Sequence, residues 1–403
     1  FPKDFYHDCC SLQPMEYFRS DSPSSTGLTF RNLQEIVEPL FKVSTSYLDY
    51  KQYGIPTFIL DQDQETEKPF EELRAQLEEH NLMPTLRDEE RTTSAITSAI
   101  SSSSENIQTA KVLRIIPKME RPERDRRWNL ALFAATIVTV AITGYLMAAN
   151  AAFQSIYNGV GPLEVLITFT MALIGVVGLH ELGHLISLRR HKIKSSLPYF
   201  IPGLPFWGLP TFGAVIVQRS PPTNRKELYD MGISGPLLGF AVSLIVAIIG
   251  IMISVPIWTL EDYIDLTENF QLSSIPEPLI FRLLVGFLHP GAYTIFLHPI
   301  GLAGWLGMLI TALNLFPIGQ LDGGHTMRSL FGSKSRYISI GGAFVLSALG
   351  YFFMAILVLF MGGIDHPGPL DDVSKLSIGR KILSVSIIVI IILCTPPLIF
   401  AFF

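Results

Sequence analysis

Polar and apolar positions alternate differently in two parts of the chain. Up to about Trp128, Glu, Gln, Ser and Arg break the apolar residues into short clusters. Beyond it, Leu, Ile, Val, Phe and Gly dominate. In the first part, Leu28–Leu40 repeats its apolar residues at helical spacing, and Pro69–His80 (PFEELRAQLEEH) reads as a helix opened by proline and acidic residues. Ile55–Leu60 and Lys111–Pro117 read as strands. Together they predict a small soluble α+β domain over residues 28–120. A flexible segment at 1–27 precedes it and a loose Ser/Thr-rich loop at 92–104 interrupts it. This domain holds no catalytic constellation, which suits binding, positioning or regulation.

The second part holds six apolar runs, near 129–149, 163–188, 231–256, 294–316, 337–361 and 381–403. Each has about the 20 residues a helix needs to cross a bilayer. The fourth is the least regular, because Pro290, Gly291, Pro299, Gly301 and Gly304 interrupt its approach. The expected fold class is therefore mostly α. It is a polytopic membrane protein with about six transmembrane helices, residues 121–403 forming the membrane-embedded domain. Lys and Arg in the connections set its orientation. Segments 118–128, 189–226 and 327–337 hold five, seven and three of them, whereas 150–160, 257–293 and 362–381 hold none, one and three. The positive side would be cytoplasm or chloroplast stroma, and six spans put both N- and C-termini there.

Composition agrees with a bilayer as partner. The chain is 49% hydrophobic and 16% charged, against about a quarter charged in soluble domains. A net charge of −5 and the lack of a basic, aromatic-rich patch argue against nucleic acid. The three cysteines, Cys9, Cys10 and Cys394, offer neither a disulfide framework nor a thiolate zinc site.

Candidate chemistry begins inside the second apolar run, at His180-Glu-Leu-Gly-His184. Three ionisable residues in a bilayer-length run cost a few kcal/mol each on insertion scales, so their presence there points to function. On a helix the two histidines lie one turn apart on one face and can reach one ion. Glu181 stands beside them, placed to act on a water at that ion. Catalytic zinc takes three protein ligands. The soluble pattern H-E-x-x-H-x-x-G-x-x-H fails, because Ser187 and Arg190 occupy its Gly and third His positions. His191 belongs to the basic cluster Arg189–Lys192 and reads as an interfacial residue. The better third ligand is Asp322, in the stretch Asn314-Leu-Phe-Pro-Ile-Gly-Gln-Leu-Asp-Gly-Gly-His325. Pro317 and Gly319 should stop the fourth helix there, and Gly323-Gly324 would permit an unusual turn around Asp322. Broken backbone at membrane depth is tolerated where it is buried in protein or lines a cavity.

These two motifs, ordered on membrane spans, resemble the site-2 protease family of intramembrane zinc metalloproteases over about residues 129–403. The hydrophilic region before them looks like the plant-chloroplast and prokaryotic branch without a PDZ domain. The resemblance implies one Zn2+ per chain held by His180, His184 and Asp322, with Glu181 as catalytic base. Asn314 matches a family asparagine that hydrogen-bonds substrate or oxyanion. The activity implied is hydrolysis of peptide bonds in or near the transmembrane segment of a membrane-spanning protein substrate, as in regulated intramembrane proteolysis. A rival reading is a non-proteolytic membrane metal-binding protein, a transporter or chaperone. It is weakened by the lack of internal repeats and by ligands clustered at one end of two spans.

Other features carry bland readings beside functional ones. Pro210–Arg219 is a surface hairpin or a strand edge that could hold an extended substrate. Gly232, Ser234, Gly235 and Gly239 suit close helix packing. His325 could ligate or polarise, but three ligands are already assigned. His289 and His298, each before a proline, suit helix ends. The loop Asp365–Asp372 is expected on the opposite face, a bilayer away from His180–His184. Gln320 is expected to line the water path beside Asn314.

Overall fold

The computed structural model describes residues 28–50, 54–92, 107–118, 125–270, 275–352, 354–356, 359 and 366–396. The segment 1–27 and most of the Ser/Thr-rich loop, residues 93–106, lie outside them. The chain forms two compact units. One comprises residues 1–121, 221–228 and 367–377; the other takes 122–220, 229–366 and 378–403.

Among the described residues the first unit is an α+β sandwich of one sheet and two helices. Its elements are α1 (Phe30–Val37), β1 (Val43–Asp49), β2 (Ile55–Leu60), α2 (Glu67–Glu78), β3 (Leu82–Thr92) and β4 (Ile107–Pro117). The strands pair antiparallel in the order β1-β2-β4-β3. Thr29 caps α1 in a reciprocal box with Asn32, which satisfies two backbone donors that a helix start leaves open. Leu33 and Val37 of α1 and Phe70, Leu73 and Leu77 of α2 recur at helical spacing. They bury against Phe58, Leu60, Leu82, Leu86, Leu113 and Ile115 of the sheet. Strand β3 escapes a hydrophobic pattern search because Arg87–Arg91 is entirely charged; its long register with β4 forms it.

Two later segments complete this unit. Leu86 N–H donates to Leu370 O at 2.8 Å, and Asp372 N–H donates to Leu86 O at 3.0 Å. Leu370 N–H donates in turn to Pro222 O at 2.9 Å, and Asp371 N–H to Thr223 O at 2.7 Å. Leu370 joins the core. Hydropathy along the chain does not reveal this, because the pairing partners are far apart in sequence.

The second unit is mostly helical. It contains α3 (Arg126–Ala148), α4 (Ala151–Ile156), α5 (Pro162–Arg190) and the hairpin β5 (Tyr199–Leu204)–β6 (Leu209–Val215). Then come α6 (Arg225–Met252, from Tyr229 onward in this unit), β7 (Val255–Ile257), α7 (Leu260–Phe270), α8 (Leu279–Leu288) and β8 (Thr294–Phe296). Last are α9 (Pro299–Leu315), α10 (Asp322–Phe331), α11 (Ser335–Ala348) and α12 (Ile378–Cys394). Among the described residues three helices, α3, α5 and α6, are long and apolar enough to cross a membrane; α8 and α9 are shorter apolar helices. Large apolar side chains stand exposed along α5 at Leu163, Ile167, Met171, Leu182 and Ile186. Their near-fourfold spacing makes one stripe, and lipid is the solvent that suits it.

Glycine decides how α6 and α9 meet. A Cβ on Gly301 or Gly304 would press on Leu297 or the Ala247 backbone, and one on Gly250 would fall 2.1 Å from Gly301 Cα. The fourth run is irregular as expected, with β8 at its start and α9 beginning only at Pro299, but Gly301 and Gly304 lie within that helix. They let two helix backbones touch, as small residues do in membranes. Pro299 occupies the first turn of α9 behind the cap His298, whose Nδ1 accepts from Ile300 N–H.

Six alternating spans are not confirmed: among the described residues three helices have the length and apolarity to cross a membrane. The run 337–361 is not one crossing helix: α11 ends at Ala348, Gly350 takes a left-handed φ of +96°, and helical residues resume at 352 and 354–356. Ser339 near its start accepts from Gly319 N–H, while His366 beyond its end meets His325 edge to face, ring centroids 4.7 Å apart. Ser339 and His366, on either side of it, both lie at the Asp322 end. The loop around Asp365–Asp372 was expected a bilayer away from His180–His184. His366 is instead beside the helix that carries Asp322. Arg380 of α12 pairs with Asp230 near the start of α6, and Pro396 O accepts from Tyr351 OH. Helix α12 therefore begins beside the start of α6 and continues toward Tyr351.

Candidate metal centre

Helix α5 carries His180, Glu181 and His184 in its last third, where the apolar run approaches the basic residues Arg189 and Arg190. All three are buried. Helix α9 ends at Leu315, as Pro317 requires, and Gly319 turns the chain with φ +49°. Asp322 then opens α10, so its carboxylate stands where the helix dipole favours negative charge. The double glycine behaves differently from expectation. Gly323 and Gly324 are helical, and their missing side chains are what lets α10 seat on the preceding turn. A Cβ at Gly323 would meet Leu315 O at 1.8 Å, and one at Gly324 would meet Gly319 O at 2.1 Å.

Three donor atoms converge. His180 Nε2 lies 3.3 Å from Asp322 Oδ2, His184 Nε2 lies 3.2 Å from the same oxygen, and the two Nε2 atoms are 3.3 Å apart. A tetrahedral zinc about 2.0 Å from each donor would space its ligands about 3.3 Å apart. The near-equilateral triangle therefore has the dimensions of one face of such a site, with the fourth position open. Two neutral imidazoles and a carboxylate are also donors that zinc accepts. This trio is the cluster of metal-ligating groups found among the described residues.

The surroundings hold the imidazoles in place. His184 Nδ1 donates to Met231 O at 2.9 Å, which leaves Nε2 free to ligate. His180 Nδ1 is buried with no partner and faces α6 at Gly239. Beside Gly239, Gly235 faces His184 and Gly232 faces the Asp322 backbone. The small residues of α6 do pack, as expected, but against the metal-site residues themselves.

Asn314 reaches the centre as well, its Nδ2 lying 3.5 Å from His180 Nε2. A cavity of about 40 Å³ adjoins it, lined by His180, Glu181, Phe212, Gly213, Thr311 and Asn314 among others. That volume admits a few waters. Gln320 is not among its lining residues. Hairpin β5–β6 supplies one wall. Its register slips between Phe200 and Pro202, and Gly213 takes φ +88° there, the form of a β-bulge that re-aims the strand. Sequence reading missed Thr311, whose signal was a second polar residue one turn before Asn314. It also missed the Met231 carbonyl, for which no side-chain signal exists. His325 and His191 are not in the triangle: His325 pairs with His366, and His191 with Asp230. His289 Nε2 donates to Ile251 O, and it and His298 serve helix ends.

The region that holds these residues resembles known proteins. Residues 168–359 match the model of peptidase family M50. The chain is similar to the probable zinc metalloprotease EGY1, chloroplastic, of Oryza sativa subsp. japonica, at 28% identity over 257 residues, 60% of this chain and 44% of that protein. It is likewise similar to the EGY1 protein of Arabidopsis thaliana at 28% over 242 residues, 58% of this chain and 43% of that protein. The probable zinc metalloprotease EGY2, chloroplastic, of Arabidopsis thaliana is 29% identical over 238 residues, 55% of this chain and 40% of that protein. The chain thus spans less than half the length of these curated relatives.

Proposed function

Because residues 168–359 belong to peptidase family M50, the site-2 protease family, we propose that this chain is an intramembrane zinc metalloendopeptidase. Its substrates would be membrane-spanning proteins, cut in or near a transmembrane segment. His180, His184 and Asp322 would hold one zinc, and Glu181 would be the catalytic base. The observation that carries this reading is the donor triangle of 3.2–3.3 Å edges, buried beside a water-sized cavity that Glu181 also lines. The chloroplastic relatives favour a chloroplast membrane, with the basic end of α5 toward the stroma.

Zinc bound there supplies Lewis acidity, which acidifies water and polarises a carbonyl. The protein's own groups do the rest. Glu181 accepts the proton of the attacking water and passes it to the leaving amine nitrogen. The Asn314 amide, on α9 beside His180, would donate to the carbonyl oxygen as charge develops there. The cavity beside β6 admits water to a depth that lipid would keep dry. A helical substrate must unwind before its carbonyl can be reached, because its peptide groups are already hydrogen-bonded.

The test is Glu181→Gln in the full chain, assayed for metal content and for cleavage of a single-pass membrane substrate. Zinc should stay near one per chain while cleavage falls about 10²–10⁴-fold, the span of general-base contributions. Full residual cleavage would sink the role of Glu181. Stoichiometric zinc with no cleavage by the unsubstituted chain would favour the non-proteolytic metal-binding reading instead.

A further inference from the structure

A chain of contacts reaches His184 from outside the donor triangle, through three consecutive residues of α6. Tyr229, fully buried, donates from its hydroxyl to Arg380 O at 2.7 Å and accepts from Ser384 Oγ at 3.1 Å, both on α12. Asp230 is gripped twice. Arg380 Nε donates to Oδ1 and Arg380 Nη2 to Oδ2, each at 2.7 Å, and His191 Nε2 lies 3.0 Å from Oδ2. Met231, next in line, offers the carbonyl that holds His184 Nδ1 at 2.9 Å. His191 caps the C-terminus of α5, the helix that bears His184 seven residues earlier.

Resting on the metal-site reading above, we propose that Asp230 and Arg380 are positioning residues for the zinc ligand His184. Their two-point clamp sets the rotation and height of α6 against α5 and α12, and so sets where the Met231 carbonyl stands. The need for such a clamp is steric. Helix α6 meets the site through Gly235, where a Cβ would fall 2.1 Å from His184 Nε2, and through Gly239, where one would fall 2.5 Å from His180 Nδ1. A glycine face allows contact but offers no side chain to stop the helix from turning, so its angle has to be set elsewhere. A bidentate arginine–carboxylate pair constrains direction as well as distance, which a lysine cannot do. Arg380 and Asp230 are about a quarter exposed, and Asp230→Asn or Arg380→Lys keeps a polar contact between them while giving up the bidentate geometry. Its loss should therefore be felt mainly in ligand geometry.

The experiment uses the purified full chain in detergent. Zinc affinity is measured by chelator competition, the melting temperature is read in the metal-free state, and turnover is followed on a transmembrane-segment peptide. Asp230→Asn and Arg380→Lys should each weaken zinc binding about 10–100-fold, the usual cost of removing a group that orients a ligand. Their metal-free melting temperature should hold, and kcat should recover at saturating zinc. The double substitution should be no worse than the poorer single one, because both remove one clamp. Unchanged zinc affinity in both singles would overturn the proposal. So would a metal-free melt that falls in step with affinity, since the pair would then be holding the fold. Asp322→Ala serves as the reference for loss of the site. Failure of the unsubstituted chain to bind zinc would overturn the metal-site reading itself, and this proposal with it.

Discussion

At His184 the two ring nitrogens have different duties. Nδ1 is held by the Met231 carbonyl and Nε2 points into the donor triangle, so backbone geometry sets the tautomer. The room for that ring comes from Gly235. Gly235→Ala should abolish zinc binding, because the new methyl would lie 2.1 Å from Nε2 and its position is set by helix backbone. Gly175→Ala on α5 is the matched control, since nothing lies within 4 Å of its added methyl; it should keep zinc and cleavage. Metal analysis of the two variants checks the contrast, and zinc retained in Gly235→Ala would contradict the packing of α6 on the site. The motif residues themselves were readable in sequence. The glycines that accommodate them were readable only as a small-residue stripe, because spacing says that something packs closely and not what.

Helix α10 shows the same logic one level up. Its ten residues start with Asp322, and their placement depends on backbone-to-backbone contact between Gly323 and the Leu315–Phe316 carbonyls. Gly323→Ala should therefore displace the whole helix. Overpacking of this kind costs about 1–3 kcal/mol or more, and Asp322 would leave the triangle. A lowered melting temperature together with lost zinc is the expected result; lost zinc alone would place the damage in the ligand only. Pro317 and Gly319 made the end of α9 legible, since one cannot continue a helix and the other can take a positive φ. The break at Gly350 was less legible. An apolar run of 25 residues satisfies the length of a crossing helix, and a lone glycine within it is a weak sign of a turn.

For the molecule as a whole, the division into units cuts across the sequence. Asp371 belongs to the first unit although it follows all but one of the apolar runs. Its side chain is 1% exposed, and burial pushes its carboxyl up to about 6, although the N–H groups of Val373 and Ser374 favour the charged form. The folded state thus holds this proton more tightly than the unfolded chain, whose aspartate titrates near 3.8. The associated stability is fully present below about pH 4 and is lost as pH rises through about 6, a change of about 3 kcal/mol. Asp371→Asn should remove that slope. Melting of the full chain and the variant from pH 4 to 7 checks it: the variant should gain on the unsubstituted chain as pH rises. A difference that stays constant with pH would refute the assignment.

Sequence alone determined the parts of this protein that depend on local chemistry. Histidines one turn apart, a carboxylate after a proline break and bilayer-length apolar runs are read from neighbours in the chain. So are the helices and two strands of the first unit, whose apolar residues repeat at their element's own period. Tertiary structure decided the rest. It closed the donor triangle, broke the run at 337–361 at Gly350, and recruited 221–228 and 367–377 to the first unit. Hydropathy records how much apolar surface a segment must hide, but it is indifferent to direction and partner. Those are chosen by backbone contacts at glycines and by hydrogen bonds between residues far apart in the chain.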